Sequence, residues 1–172
     1  MRLRKLEHRD IDGILSWMHD DSINCFFANN FKAFTKNDVQ NFIDSCATDN
    51  QNLHYACVDD NNNYLGTVSL KNIDHKNKNA EYAVSFCKFA QGTGAAKFAT
   101  EEILKVAFND LGLEKVYLNV LAENLRANNF YKKMGFTFEG TFKRHIFVNG
   151  ELKDLNWYGV FKAKSEKGGI LS

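Results

Sequence analysis

Gln91-Gly92-Thr93-Gly94-Ala95-Ala96 joins a strand-like run, Ala80 to Phe86, to a helical one, and does so with almost no side-chain bulk. Two glycines let the backbone approach a ligand closely, and the first N–H groups of the following helix have no intrahelical partners. Free N–H groups and the positive end of the helix dipole together make a seat for phosphate or pyrophosphate that needs no basic side chain. A tight strand-to-helix turn with no ligand would carry the same residues, so the surrounding chain has to decide. A dinucleotide loop is excluded, because Lys97 stands where the third glycine would be, and no Gly-Lys-Ser/Thr follows.

Downstream of the turn, Phe98, Ile103, Leu104, Val106, Ala107 and Leu111 recur at helical spacing, predicting a helix from about Ala95 to Leu111 that stops at Gly112. Lys115 to Val120 reads as a strand reached through that helix, hence parallel to the 80–86 run. Asn124 is set to cap a further helix with Ala127, Phe130, Tyr131 and Met134 on one face and Gly135 as its stop. Asn149-Gly150 predicts a type I′ hairpin between Phe142–Val148 and Leu152–Phe161.

Upstream, Arg2 to Glu7 reads as an edge strand, and Asp10 as the N-cap of a helix carrying Ile11, Ile14, Leu15 and Met18. Between Asp20 and Phe34 periodicity disappears, and Phe26, Phe27, Phe31 and Phe34 alternate with Asn24, Asn29 and Asn30, giving an aromatic loop that packs over the core. Thr35 and Asp38 form a capping box for a helix with Val39, Phe42, Ile43 and Cys46, ending near Asp49. Leu53–Val58 and Tyr64–Leu70 are two strands joined by a turn-forming Asp/Asn run, and a polar connector, Lys71 to Asn79, leads back to the 80–86 strand.

The chain has 172 residues, 44% hydrophobic and 13% aromatic, which suits one domain over 1–172 with a polar, fraying tail at 163–172. Lys plus Arg total 22 against 21 Asp plus Glu, a formal charge of +1, so no global field favours nucleic acid. Cys25, Cys46, Cys57 and Cys87 lack C-x-x-C spacing and sit in apolar or aromatic surroundings, which reads as buried, reduced thiols. With no apolar run of membrane length and no signal-peptide core, the expected location is the cytoplasm. No metal spacing emerges, so no metal is expected.

Gln91-x-x-Gly94-x-Ala96, Leu111-Gly112-Leu113, and the segment Asn124-x-Arg126-Ala127 through Phe130-Tyr131-Lys132-Lys133-Met134-Gly135-Phe136 together resemble the GCN5-related N-acetyltransferase (GNAT) superfamily. Its end, Phe138 to His145 with Asn149-Gly150-Glu151, is similar to the branch acting on ribosomal-protein N-termini, polyamines and amino sugars. The resemblance covers about Arg2 to Phe161 and is densest from Ala80 onward. It implies an α+β fold with a mixed, mostly antiparallel sheet of about seven strands, splayed between strands 4 and 5 and flanked by about four helices.

The resemblance also implies roles. The backbone of Gln91, Gly92, Thr93, Gly94, Ala95 and Ala96 would hold the pyrophosphate of acetyl-CoA, the cosubstrate, and Phe86 and its neighbours would pair with the pantetheine arm. Asn124 would contact the cofactor near the thioester as well as capping its helix. Tyr131 matches the general acid that protonates the leaving thiolate, a role open to a phenol that stays protonated at neutral pH. Glu81, near the start of the strand feeding the turn, is the candidate base for the attacking amine. The function implied is direct acetyl transfer to a primary amine of a small molecule, an amino sugar or a protein N-terminus, by a monomer or homodimer. A non-catalytic acyl-CoA-binding module of the same fold is the alternative. Lys88 and Phe89 precede the turn and its own residues are neutral, so the cradle relies on backbone rather than on salt bridges to phosphate.

Overall fold

The computed structural model describes residues 1–27 and 30–163. Seven strands form one sheet: β1 (Arg2–Lys5), β2 (Leu53–Val58), β3 (Tyr64–Asp74), β4 (Asn79–Phe86), β5 (Lys115–Leu121), β6 (Thr137–Val148) and β7 (Glu151–Phe161), in the order β1-β2-β3-β4-β5-β7-β6. Every neighbouring pair is antiparallel except β4 and β5. Five α-helices accompany it: α1 (Ile11–Met18), α2 (Asp21–Asn24), α3 (Lys36–Ser45), α4 (Ala95–Lys105) and α5 (Leu125–Lys133). No helix among the described residues is long and apolar enough to cross a membrane.

The parallel pair forms as the crossover argument requires, but over three positions only: Asn79 with Lys115, Ala80 with Val116 and Glu81 with Tyr117. Beyond Glu81 and Tyr117 the strands diverge. β4 stays paired with β3 as far as Phe86, and β5 with β7 as far as Leu121. The sheet thus opens into a wedge whose apex is the Glu81/Tyr117 pair.

Alternation along β4 assigns its two faces. Tyr82 points toward α4, its hydroxyl 2.8 Å from Thr100 Oγ1, so its neighbour Glu81 points to the other face. There α3 packs, Phe42 lying edge-on to His54 at 4.9 Å. His54 Nδ1 is 2.7 Å from Ser69 Oγ, and Ser69 pairs with Ala83 of β4, two residues from Glu81.

Four local expectations change. Asp10 does not cap α1. Its buried carboxylate accepts from Arg4 Nη1 and Nη2 at 2.7 and 2.8 Å and from the Glu7 N–H at 2.9 Å, closing a 3-10 turn before the helix. The 20–34 stretch is more than a loop. Asp20 accepts from the Ser22 N–H at 2.8 Å and starts the one-turn α2, the helix beyond the expected four. The 71–79 connector is largely strand, since β3 runs to Asp74 past a bulge at which Asn72 takes φ +51°. The helix after the turn is α-helical to Lys105 only, and Val106–Asp110 continues as a π turn.

The four cysteines are free, as expected, but only Cys57 and Cys87 are buried; Cys46 is half-buried and Cys25 exposed. Burial pushes the Cys57 thiol up to about 11. Asn29 of the aromatic stretch and the tail at 164–172 lie outside the described residues.

Candidate active site

At the mouth of the wedge the 91–96 turn takes the conformation its glycines permit. Gly92 and Gly94 have φ of +81° and +89°, and a Cβ on either would meet nothing within 4 Å. Gly94 is the N-cap of α4, and the helix's first i to i−4 bond runs from the Phe98 N–H to Gly94 O at 3.0 Å. The N–H groups of Ala96 and Lys97 therefore precede that ladder, next to two residues with no side chain. An anion fits this turn by the free donors, the helix dipole and the absence of bulk. Thr93 Oγ1 donates to Ala90 O at 2.7 Å, fixing the turn from within.

Phe86, the last residue of β4, is buried, and its ring covers Gly66 so closely that a Cβ there would lie 2.5 Å from it. Because β5 has already departed, the backbone of β4 past Glu81 has no strand on that side and can pair with an extended ligand chain.

The opposite wall is the start of α5. Asn124 caps it, its Oδ1 accepting from the Ala127 N–H at 3.1 Å, and Arg126 Nη1 donates to Gln91 Oε1 at 2.6 Å, tying this wall to the turn. Tyr131 lies on the inner face of α5, its ring centroid 6.0 Å from that of Tyr82 on β4 and 6.4 Å from that of Tyr158 on β7, with Phe130 and Phe136 beside it. It thus bridges the two diverging arms of the sheet. Its hydroxyl has no hydrogen-bond partner among the described residues, and burial pushes the phenol up to about 12. A group so placed holds its proton throughout the neutral range and can give it to a developing thiolate.

Glu81 occupies the apex on the other face. One carboxylate oxygen accepts from Lys71 Nζ at 3.0 Å and the other from Asn72 Nδ2 at 2.9 Å. The structure therefore gathers the turn, Phe86, Asn124 and Tyr131 around the wedge, and puts Glu81 at its closed end inside an ion-paired cluster.

Asn128 is absent from the sequence-based set. It is 4% exposed and makes four hydrogen bonds: its amide donates to Leu121 O and Asn124 O at 3.0 and 2.8 Å, and its carbonyl accepts from Asn156 Nδ2 and Tyr158 Oη at 2.9 and 2.8 Å. It clamps α5 to the end of β5 and to β7, which sets the position of Tyr131 one turn later. Its signal was an amide at i+4 from Asn124 and i−3 from Tyr131, on the helix's inward face.

On the α3 side, the aromatic segment approaches the hairpin tip. Trp17, Phe27, Phe31 and Phe34 pack in sequence with centroids 5.3–6.2 Å apart, and Asn149 Nδ2 donates to Cys25 O at 3.4 Å. The hairpin turn has the φ values of type I′, +49° at Asn149 and +86° at Gly150. The described residues contain no group of three or more His, Cys, Asp or Glu arranged to hold a metal.

Residues 3–157 match the family described as "Acetyltransferase (GNAT) domain". A spermidine N(1)-acetyltransferase of Vibrio cholerae serotype O1 is 27% identical over 165 residues, 95% of this chain and 94% of the relative. One of Escherichia coli K12 is 33% identical over 97 residues, 56% of this chain and 52% of the relative. The structure of spermidine N-acetyltransferase from Vibrio cholerae in complex with CoA and spermine superimposes with a TM-score of 0.85 at 26% identity, covering 93% of this chain and 94% of that one.

Proposed function

Because the chain belongs to the acetyltransferase (GNAT) family and carries out acetyl-CoA-dependent N-acetylation of an amine, we propose that its acceptor is a primary amine of an aliphatic polyamine, and that one domain in the cytoplasm performs the transfer. The observation that carries the catalytic assignment is the wedge itself, bridged by a partnerless, neutral phenol and bordered at its mouth by an unencumbered helix N-terminus. The names and bound molecules of the near-full-length relatives support the polyamine.

Acetyl-CoA supplies the activated acyl group. The N–H groups of Gly92, Gly94, Ala96 and Lys97 bind its pyrophosphate, and the unpaired edge of β4 near Phe86 aligns its arm. Asn124 caps α5 and contacts the cosubstrate near its thioester. The amine attacks as the neutral base, the C–N bond forms, the C–S bond breaks, and Tyr131 gives its proton to the departing sulfur. The proton lost by the amine passes through solvent and restores the phenol. Proton transfer is assigned to Tyr131 because its hydroxyl is free. Glu81, with both oxygens engaged, holds the apex and contributes negative charge near the amine.

A thiol-release assay with acetyl-CoA across spermidine, spermine, an amino sugar, free amino acids and a peptide N-terminus tests this. Polyamines should give the highest kcat/KM. Higher turnover of another class would replace the acceptor, and no release with any amine would leave only the acyl-CoA-binding module.

A further inference from the structure

The α4 and α5 side of the wedge is filled by the rings of Tyr82, Phe130, Tyr131 and Phe136. An acceptor must therefore come from the other face of the sheet, where Glu81 and Tyr117 meet at the apex. Register and alternation put a row of rings there. Tyr117 pairs with Glu81 on one side and with Gly159 on the other, and Trp157, two residues before Gly159, is on the same face. The Tyr117 and Trp157 rings stack at 6.1 Å with 30° between their planes, and Phe142 of β6 leans on Trp157 at 5.1 Å. The row runs across β6, β7 and β5 and ends at a carboxylate. It is not core: Phe142 is 50% exposed, and Tyr117 and Trp157 are each only partly buried.

The local charge has a sign. Burial foremost, and then the nearby Glu81 and Asp74 carboxylates, push the Tyr117 phenol upward, so acidic groups border this end of the row, Glu81 among them paired with Lys71. Asp74 pairs in register with Asn79, two residues before Glu81, on the same face, and its carboxylate accepts from the Asn77 N–H and amide. Flat ring faces that accept methylenes and cations, ending beside carboxylates, match an alkyl chain bearing ammonium groups.

We propose that Tyr117, Trp157 and Phe142 form the acceptor rail, a stacked strip that seats the alkyl chain and a distal ammonium of the polyamine while its primary amine enters the wedge at Glu81. This rests on the polyamine reading above and names the residues that would enforce it. A monoamine of the same reach has no second cation to place on the rings, so the strip selects for chain length and charge rather than for the reacting nitrogen.

The test compares spermidine with butylamine in wild type and Phe142→Ala at saturating acetyl-CoA. The half-exposed Phe142 is the variant least able to disturb folding. Spermidine KM should rise about tenfold, with kcat and the acetyl-CoA KM within twofold, and butylamine kcat/KM should fall by a distinctly smaller factor, because butylamine brings methylenes but no second cation to the rings. Equal changes for the two amines, or none for either, overturn the rail, as does a loss confined to oligomeric state, which would make the strip an interface between copies. A binding measurement separates this from the function itself. With Trp17→Phe leaving Trp157 as sole tryptophan, spermidine should shift its fluorescence in a titration without acetyl-CoA, and butylamine should not. A shift without turnover would keep the rail and sink the polyamine acetylation; turnover with no shift and a silent Phe142→Ala would do the reverse.

Discussion

The two walls of the wedge are bridged by the Arg126 to Gln91 hydrogen bond, yet they are built from opposite materials. The 91–96 wall is mostly backbone: two glycines at positive φ, N–H groups at the start of α4 outside the helical ladder, a Thr93 side chain turned inward, and Gln91 alone reaching across. The α5 wall is side chains, with Asn124 capping, Asn128 clamping and Tyr131 bridging. The difference divides the labour. On the function proposed above, cosubstrate affinity would rest on main-chain conformation, which few substitutions reach, and chemistry on individual groups, each of which one substitution removes.

The sharpest way to break that division is Tyr131→Phe. The ring cluster stays filled and only the hydroxyl goes, so kcat should fall by about 10²- to 10⁴-fold, the usual worth of a positioned general acid. The acetyl-CoA dissociation constant, read by calorimetry, should stay within twofold. A wild-type rate would remove Tyr131 from the chemistry. The same residue fixes the pH profile. Its phenol is raised to about 12, so the rate should climb with pH as the amine loses its proton and show no Tyr131 limb below about pH 11. The stability sign is consistent: a phenol with a raised folded pKa contributes fully below its unfolded value near 10 and loses that contribution as pH rises toward 12.

Gly94→Val attacks the other wall. At φ of +89° a β-branched side chain is strained by about 1–2 kcal/mol, and relief requires the turn to rearrange. KM for acetyl-CoA should rise about tenfold, with kcat at saturation falling much less. An unchanged KM would mean the turn is not the anion seat.

The walls also differ in how far the chain itself disclosed them. From Ala80 onward, positive-φ positions fall on glycines and on Asn149, residues that announce themselves, with Arg144 the exception, and the helical periods run unbroken from Ala95 to Lys105 and along α5. The turn, Asn124 and Tyr131 could thus be placed before any coordinates. The N-terminal third is governed by tertiary partners instead. Asp10 looks like a cap, but the bidentate grip of Arg4 six residues upstream outweighs the local role. α2 is a single turn, shorter than any period can reveal. Glu81 was visible as a carboxylate in the right strand, but its engagement by Lys71 and Asn72 depends on a bulge at Asn72 that no local pattern marks. Asn128 stayed hidden because its four partners come from β5, β7 and its own helix start.

Asn128→Ala tests whether the side-chain wall is also a structural joint. Removing one amide leaves the buried Tyr158 hydroxyl and the Asn156 amide seeking partners, while Leu121 O and Asn124 O keep the Asn124 and Asn128 N–H groups. Unfolding free energy should drop by about 3 kcal/mol, which for a domain of this size lowers Tm by about 6–12 °C. Tyr158→Phe deletes one donor while Asn156 still serves Asn128, so about 1 kcal/mol is expected. A loss in Asn128→Ala no larger than in Tyr158→Phe would show that the network is not the joint.

The smallest effect is expected at the apex, where β4 and β5 meet. Glu81→Gln keeps an oxygen for Lys71 and presents an amide near Asn72, so the strand geometry has little reason to change. If Glu81 only holds the apex and lends charge, kcat should fall no more than a few-fold, and the weakening should shrink in high salt because a through-space term is screened. If instead it takes the amine's proton, the loss should reach at least about 100-fold and grow as pH falls and the amine becomes more fully protonated. Lys71→Met separates the alternatives from the other side. Releasing Glu81 from its ion pair should lower the rate through a disturbed β3–β4 junction if the carboxylate is structural, and should raise it if the free carboxylate is the base that Lys71 restrains.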